Sequence, residues 1–216
     1  MLTFGLVGAG GFGREVMPFA RDSLQRSTGA ANGELDVVFV DDRLAGQVVN
    51  GLRVLSTTNF ETTGERRLFN IAVADAATRR TLAARLRLCA EPVSLIAPNV
   101  VIGDGNSIAP GAILCPFTNV TSNARIGEFF HCNIYSYVAH DCVIGDYVTF
   151  APAVRCNGAV TVGDDAYIGT SAVLRQGTPE RPMHVGARAV VGMGAVVTRS
   201  VADGVTVVGN PARAME

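Results

Sequence analysis

Two constellations in this chain carry chemistry by residue type and spacing. The first is His140 followed by Asp141. A carboxylate beside an imidazole can hold one ring nitrogen and leave the other as a general base near neutral pH. The second is Gly8-Ala9-Gly10-Gly11-Phe12-Gly13, a G-x-G-x-x-G pattern that follows the apolar run Leu2 to Val7. It precedes Arg14, Glu15, Val16, Met17, Phe19, Ala20 and Leu24, which are spaced as a helix. Glycines there let a backbone approach phosphate, and the helix N-terminus supplies N–H donors and partial positive charge. The same pattern also suits a tight strand-to-helix turn with nothing bound. Asp41 and Asp42 close the next apolar run, where an acid could meet a ribose hydroxyl. His131 precedes an inward position at a turn and His184 closes the irregular loop from Arg175, so both are poorer candidates. No histidine pair has metal-ligand spacing, and no catalytic metal is expected. No serine sits in a nucleophile elbow and the cysteines lean inward, which argues against covalent catalysis.

The elements that hold these residues follow from one period. From Ile96 through Leu174 every sixth residue is apolar or a cysteine, including Val120, Cys132, Val138, Ile144, Phe150 and Cys156. Small or apolar residues stand four places later in most units, as at Ala112, Ala124, Cys142, Val160 and Ala172. After an interruption around Pro182 to His184 the phase resumes at Val185, Val191 and Val197. A period of six matches neither a helix nor a long strand and marks a parallel β-helix solenoid. His140 is the third residue of its hexad, an outward place. Residues eighteen apart stack on successive coils at about 4.8 Å. Ser122 then lies on one side of His140 and Gly158 on the other, where a glycine leaves open space that a substrate can fill.

Upstream the pattern changes. Strand, glycine turn, helix, a strand at Asp36 to Val40, a strand at Leu68 to Val73 and a helix at Ala76 to Leu88 begin a doubly wound α/β domain. Arg79, Arg80, Arg85 and Arg87 are assigned to the wet side of that second helix. We place a domain of residues 1–92, α/β and half of a Rossmann sheet with three or four strands, before a β-helix of residues 93–216. Half a sheet suits a mononucleotide carrying a sugar better than a dinucleotide. The formal charge of −1 predicts no general affinity for nucleic acid or anionic membranes. No apolar run approaches the length of a membrane span. Five cysteines without CxxC spacing read as core filler in a reducing compartment, so a cytoplasmic protein is expected.

The segment Asn133 to Asp146, with Phe150-Ala151-Pro152, the run from Val191 to Val197 and the ending Gly204 to Ala212, resembles the hexapeptide-repeat acyltransferases. With the glycine-rich N-terminal half-domain it is similar, more narrowly, to the sialic acid O-acetyltransferase and bacterial nucleotide-sugar N-acetyltransferase group. The resemblance implies a left-handed β-helix, a homotrimer, and acetyl-CoA lying along the groove between neighbouring solenoids. It implies His140 as catalytic base, Asp141 raising its basicity, and Asn133 as a substrate contact. Nucleotide contacts fall on Gly10, Gly11, Phe12, Asp41 and Asp42. This chain carries Thr149 where relatives often have a second histidine, and Ala74 where a glycine contacts substrate. It carries Met193 where a glycine is common near CoA, and Thr170 at another CoA-lining place. Tyr135 and Tyr137 replace small residues of the active coil. Substrate contacts are accordingly assigned to Ala74 and Tyr135 as well, and cofactor contacts to Thr149, Gly158, Thr170 and Met193.

The function these residues point to is transfer of acetyl from acetyl-CoA to a sugar, with the amino group of a nucleotide-linked amino-deoxysugar as acceptor. Acetylation of a sugar hydroxyl, a non-catalytic nucleotide-sugar sensor, and a nicotinamide-dependent oxidoreductase are the alternatives. The last rests on the glycine pattern alone.

Overall fold

A computed structural model describes residues 1–29 and 35–215. The chain forms two compact units, Met1–Pro98 and Asn99–Glu216. This division lies later than the expected boundary at 92, because Glu91–Pro92 still hydrogen-bonds to the N-terminal sheet and the Ile96 N–H donates to Ser23 Oγ at 2.9 Å.

The N-terminal unit is built on β1 (Leu2–Val7), α1 (Gly11–Thr28), β2 (Leu35–Val40), β3 (Val48–Val49), β4 (Leu52–Leu55), α2 (Thr57–Thr62), β5 (Arg66–Ile71), α3 (Ala76–Leu86) and β6 (Glu91–Pro92). The sheet order is β3-β4-β2-β1-β5-β6. All pairs are parallel except the β3–β4 hairpin. Phe4, Leu6, Val38, Phe39, Phe69 and Ile71 have no exposed surface, as strands covered on both faces require.

Six strands replace the three or four expected. The additions are short: β3, β4 and β6 span two to four residues each, too few to show a period. The third long strand ends at Ile71 rather than Val73, and the second helix ends at Leu86, leaving Leu88 88% exposed. Arg79 corrects a second expectation. It is fully buried, and its Nη1 donates to the carbonyls of Val73 (2.8 Å) and Ala74 (3.2 Å). A guanidinium is tolerated inside where carbonyls accept its protons.

The C-terminal unit is the solenoid, a left-handed β-helix with three parallel sheets. One runs through Ile113–Leu114, His131–Cys132, Thr149–Phe150, Tyr167–Ile168 and Val190–Val191. A second runs through Val101–Ile102, Asn119–Val120, Tyr137–Val138, Arg155–Cys156, Val173–Leu174 and Val196–Val197. The third takes Ser107–Ile108, Arg125–Ile126, Val143–Ile144, Val160–Val162 and Met183–Val185. The hexad positions from Leu114 to Leu174 are all buried, as are the small residues between them. Ile102 departs from that rule at 40% exposed, because its coil opens the solenoid unit and has no complete coil stacked before it.

The corners have their own rule. Phe117, Asn123, Phe129, Tyr135, Asp141, Tyr147, Ala153, Ala159, Asp165 and Ser171 all have positive φ, one every six residues. A left-handed non-glycine residue costs on the order of 1–2 kcal/mol. At these corners the cost is offset by a repeated bond to the previous coil: Asp141 N–H donates to Ser122 O at 3.1 Å, and Ala159 N–H to His140 O at 2.9 Å. Stacked rings add to it, with Phe117 on Tyr135 at 5.1 Å and Phe129 on Tyr147 at 5.3 Å.

Candidate active site

His140 stands just before one of these left-handed corners, two residues past the strand Tyr137–Val138. Asp141 occupies the corner itself, with φ 61°, a conformation short polar side chains tolerate. From there its Oδ2 lies 2.8 Å from His140 Nδ1. The imidazole side chain is 61% exposed and the carboxylate 45%. With Nδ1 engaged, Nε2 is the nitrogen left for a proton in transit.

The ring rests on Gly158. A Cβ there would lie 2.5 Å from both Cε1 and Nε2 of His140, and 3.0 Å from Nδ1. This corrects the expected open space: the room that the glycine leaves is filled by the histidine's own ring. Only a residue without a side chain lets the imidazole lie flat on the coil. The Gly158 N–H has no acceptor among the described residues, so an unpaired donor sits in the same residue that supports the ring.

The neighbouring thiol faces the other way. Cys142 is fully buried, and its Sγ reaches Asn157 O at 3.2 Å, His140 O at 3.7 Å and Cys156 Sγ at 3.9 Å. The contact with Cys142, then burial, pushes the Cys156 thiol well above its usual range. Tyr137 sits half-buried three residues before His140, and its hydroxyl donates to Asn157 Oδ1 at 2.7 Å. Burial raises this phenol, so it stays a donor. Asn157 gives no sequence signal of its own, because its role comes from the coil that lands beside it.

The other expected residues are distributed over this unit. Asn133 is half-buried, and its backbone N–H donates to Phe150 O at 3.0 Å. Tyr135 is 60% exposed on the Phe117 ring, at a different corner from His140. Thr170 is exposed and Met193 is 82% exposed, with Gly194 N–H donating to Thr170 O at 2.8 Å. Thr149 is 4% exposed and so presents almost no surface to a cofactor on this chain. It pairs in register with His131, which is fully buried in a strand rather than placed at a turn.

In the N-terminal unit the glycine loop is shaped by two of its glycines and open at two others. Gly8 has φ 98°, and a Cβ on Gly13 would sit 1.9 Å from Gly8 O. These two make the turn. Gly10 and Gly11 have nothing within 4 Å of a built Cβ. Gly10 caps α1 without a side chain, and no acid stands in the first turn, an arrangement whose positive end suits an anion. Phe12 is half-buried and Ala74 exposed. Asp41 ties the loop down: its Oδ2 accepts from Ala9 N–H at 3.2 Å and its Oδ1 from Arg43 N–H at 3.0 Å. Asp42 accepts from Thr57 N–H at 2.7 Å and Thr57 Oγ1 at 3.1 Å, at the start of α2. Among the described residues no His, Cys, Asp and Glu cluster could hold a metal ion, and no helix is long and apolar enough to cross a membrane.

A hexad solenoid with an outward His–Asp pair on one corner, preceded by a glycine-turn α/β domain, has the architecture of the hexapeptide-repeat acyltransferases. No family model matches the chain. A GDP-perosamine N-acetyltransferase of Escherichia coli O157:H7 is 49% identical over 218 residues, covering 100% of this chain and 97% of the relative. The structure of WeeI from Acinetobacter baumannii AYE superimposes with a TM-score of 0.94 at 49% identity, covering 100% of both chains. PerB from Caulobacter crescentus, solved in complex with CoA and GDP-perosamine, gives a TM-score of 0.84 at 26% identity over 99% of this chain and 97% of that one. This chain belongs to the bacterial nucleotide-sugar N-acetyltransferases of the hexapeptide-repeat, left-handed β-helix group.

Proposed function

We propose that this protein moves acetyl from acetyl-CoA to the amino group of a GDP-linked amino sugar of the perosamine type. The observation that carries the reading is the exposed imidazole lying on Gly158, with Nδ1 held by Asp141, in a chain 49% identical to a GDP-perosamine N-acetyltransferase. An amine acceptor, rather than the hydroxyl the sequence also allowed, follows from that likeness. His140 takes the proton through Nε2 as the amine nitrogen attacks the thioester carbonyl. The N–C bond forms, the C–S bond breaks, and CoA leaves as the thiol with the proton restored to it. The unpaired Gly158 N–H supports stabilisation of the carbonyl oxygen as charge develops there.

The helix N-terminus at Gly10 and Gly11 holds the nucleotide phosphates, with Phe12, Asp41, Asp42 and Ala74 as further contacts in the N-terminal unit; in the solenoid, Asn133 and Tyr135 are the substrate contacts. Gly158, Thr170 and Met193 line the acetyl-CoA side, and Thr149, at 4% exposed, contributes little surface to it. We place the enzyme in the cytoplasm, in polysaccharide biosynthesis, as a homotrimer in which a second solenoid supplies the other wall of the groove. Sedimentation at micromolar concentration tests the assembly, and a monomer would refute it.

His140→Ala tests the base. Turnover of GDP-perosamine with acetyl-CoA falls on the order of 10²–10⁴-fold, the usual worth of a general base, while the far-ultraviolet spectrum is unchanged. Near-native turnover in that variant would move the base elsewhere.

A further inference from the structure

The coil beneath His140 carries a defect in its ladder. In the second sheet the residue after each strand donates its N–H to the coil below: Thr121 to Val138 O at 2.9 Å, Ala139 to Cys156 O at 2.9 Å, Arg175 to Val197 O at 3.0 Å. The bond from Asn157 N–H to Leu174 O is stretched to 3.4 Å, a length at which little hydrogen-bond energy remains. Asn157 immediately precedes Gly158, the support of the imidazole.

The Asn157 side chain closes the gap. Its Nδ2 donates to the same Leu174 carbonyl at 2.7 Å, its Oδ1 accepts from the Tyr137 hydroxyl at 2.7 Å, and its backbone carbonyl accepts from Cys142 Sγ at 3.2 Å. The Leu174 carbonyl fixes which end of the amide faces it, because a carbonyl only accepts and so requires the NH2 group there, leaving Oδ1 to accept from the phenol. Two of these partners, Tyr137 and Cys142, flank His140 in its own coil. A bridging asparagine is not in itself a sign of a site: Asn106 links Gly103 O and Ala124 N–H in the same manner without touching the residue under the imidazole. Asn157 differs in joining the histidine's own coil to the residue the histidine rests on.

We infer that Asn157, clamped between the Tyr137 hydroxyl and the Leu174 carbonyl, is a positioning residue that sets the height and tilt of the His140 imidazole through the Gly158 backbone. The inference rests on His140 being the base. Neither Asn157 nor Tyr137 touches the reacting atoms, so their effect passes through the ring. Removing the phenol oxygen frees the amide to rotate, and Gly158 then relaxes with the stretched ladder. The cost is a base sampling misaligned positions, smaller than the roughly 10² attached to a fixed misplacement of 1 Å.

A double-mutant cycle on the full-length enzyme tests this, with acetyl-CoA and GDP-perosamine as substrates and thiol release as the readout. Tyr137→Phe lowers kcat about tenfold, leaves KM for both substrates within twofold, and does not alter the assembly. In a His140→Ala background the same change has no further effect on the residual rate, since there is no ring left to aim. An equal fall in both backgrounds would overturn the inference, showing that the hydroxyl supports the coil in general. A rise in KM at unchanged kcat would also overturn it, placing Tyr137 in binding. Should His140→Ala retain near-native turnover, the base assignment fails and this inference with it, an outcome the cycle separates from the other two. Asn157→Ala, which removes both arms, gives a fall at least as large; if it does not fold, Tyr137→Phe carries the test alone.

Discussion

Gly158→Ala isolates the contact on which the site is built. The added methyl would lie 2.5 Å from Cε1 and Nε2 of His140, where ordinary contact begins near 3.4 Å. One of the two must give by about an ångström. The three atoms nearest the new methyl all belong to the His140 ring, and that side chain is 61% exposed, so the ring swings outward and the backbone stays. Gly158 is not in the left-handed region, and alanine there narrows the unfolded ensemble, a gain of roughly 0.4–1 kcal/mol. Stability is therefore unchanged or slightly raised. Activity is not: a base displaced by about 1 Å loses on the order of 10² in rate, equal to about 2.7 kcal/mol of barrier. Thiol release under saturating acetyl-CoA and GDP-perosamine gives kcat, and a thermal melt of the same sample gives Tm. The expected pair is kcat down about a hundredfold with Tm within a few degrees of the parent. Full activity would refute the claim that this contact aims the imidazole, and a collapse of Tm would refute the claim that only the ring yields.

Gly11→Val fills space that is empty in the structure, so calorimetric affinity for GDP-perosamine falls tenfold or more, about 1.4 kcal/mol, while CoA affinity holds; equal loss of both would indicate misfolding. Cys142→Ser stays active and the parent shows intersecting lines in double-reciprocal plots, since the thiol points into the interior away from the exposed ring; parallel lines, or acetylated Cys142 without acceptor, would establish a ping-pong route. Asp75 caps α3, and hydrogen bonding to Thr78 lowers its carboxyl in the folded state. Its stabilisation is thus complete above the unfolded value of about 3.9 and disappears as pH falls through the folded one. Asp75→Asn keeps a capping side chain but flattens Tm against pH between about 5 and 3; an unchanged slope would remove Asp75 from acid unfolding.

How much of this was legible beforehand depends on the range over which each interaction acts. A six-residue repeat is a local pattern imposed by stacking, so Leu114, Val138, Phe150 and Leu174 announced the solenoid and its interior without any coordinates. Adjacency in sequence likewise paired His140 with Asp141, and the glycine spacing located the α1 turn. The short strands Val48–Val49 and Glu91–Pro92 left no period to read and emerged only by pairing with β4 and β5. Arg79 looked like the solvent face of a helix; it is buried because the carbonyls of Val73 and Ala74 turn toward it.

The same division runs through the active coil. The sequence alone determined that residues eighteen apart stack, and hence that Gly158 lies beside His140. Whether that glycine left room for substrate or for the imidazole itself was decided only by the left-handed corner at Asp141, whose carboxylate draws Nδ1 toward it while the ring lies across the next coil. Asn157 is the plainest case. Its type and neighbours in the chain say nothing, and its role exists because coil stacking sets the Tyr137 hydroxyl above it and the Leu174 carbonyl below. Composition and period specify which residues share a face, but a hydrogen bond is directional and short-ranged, so its partners are settled only when the coils close on one another.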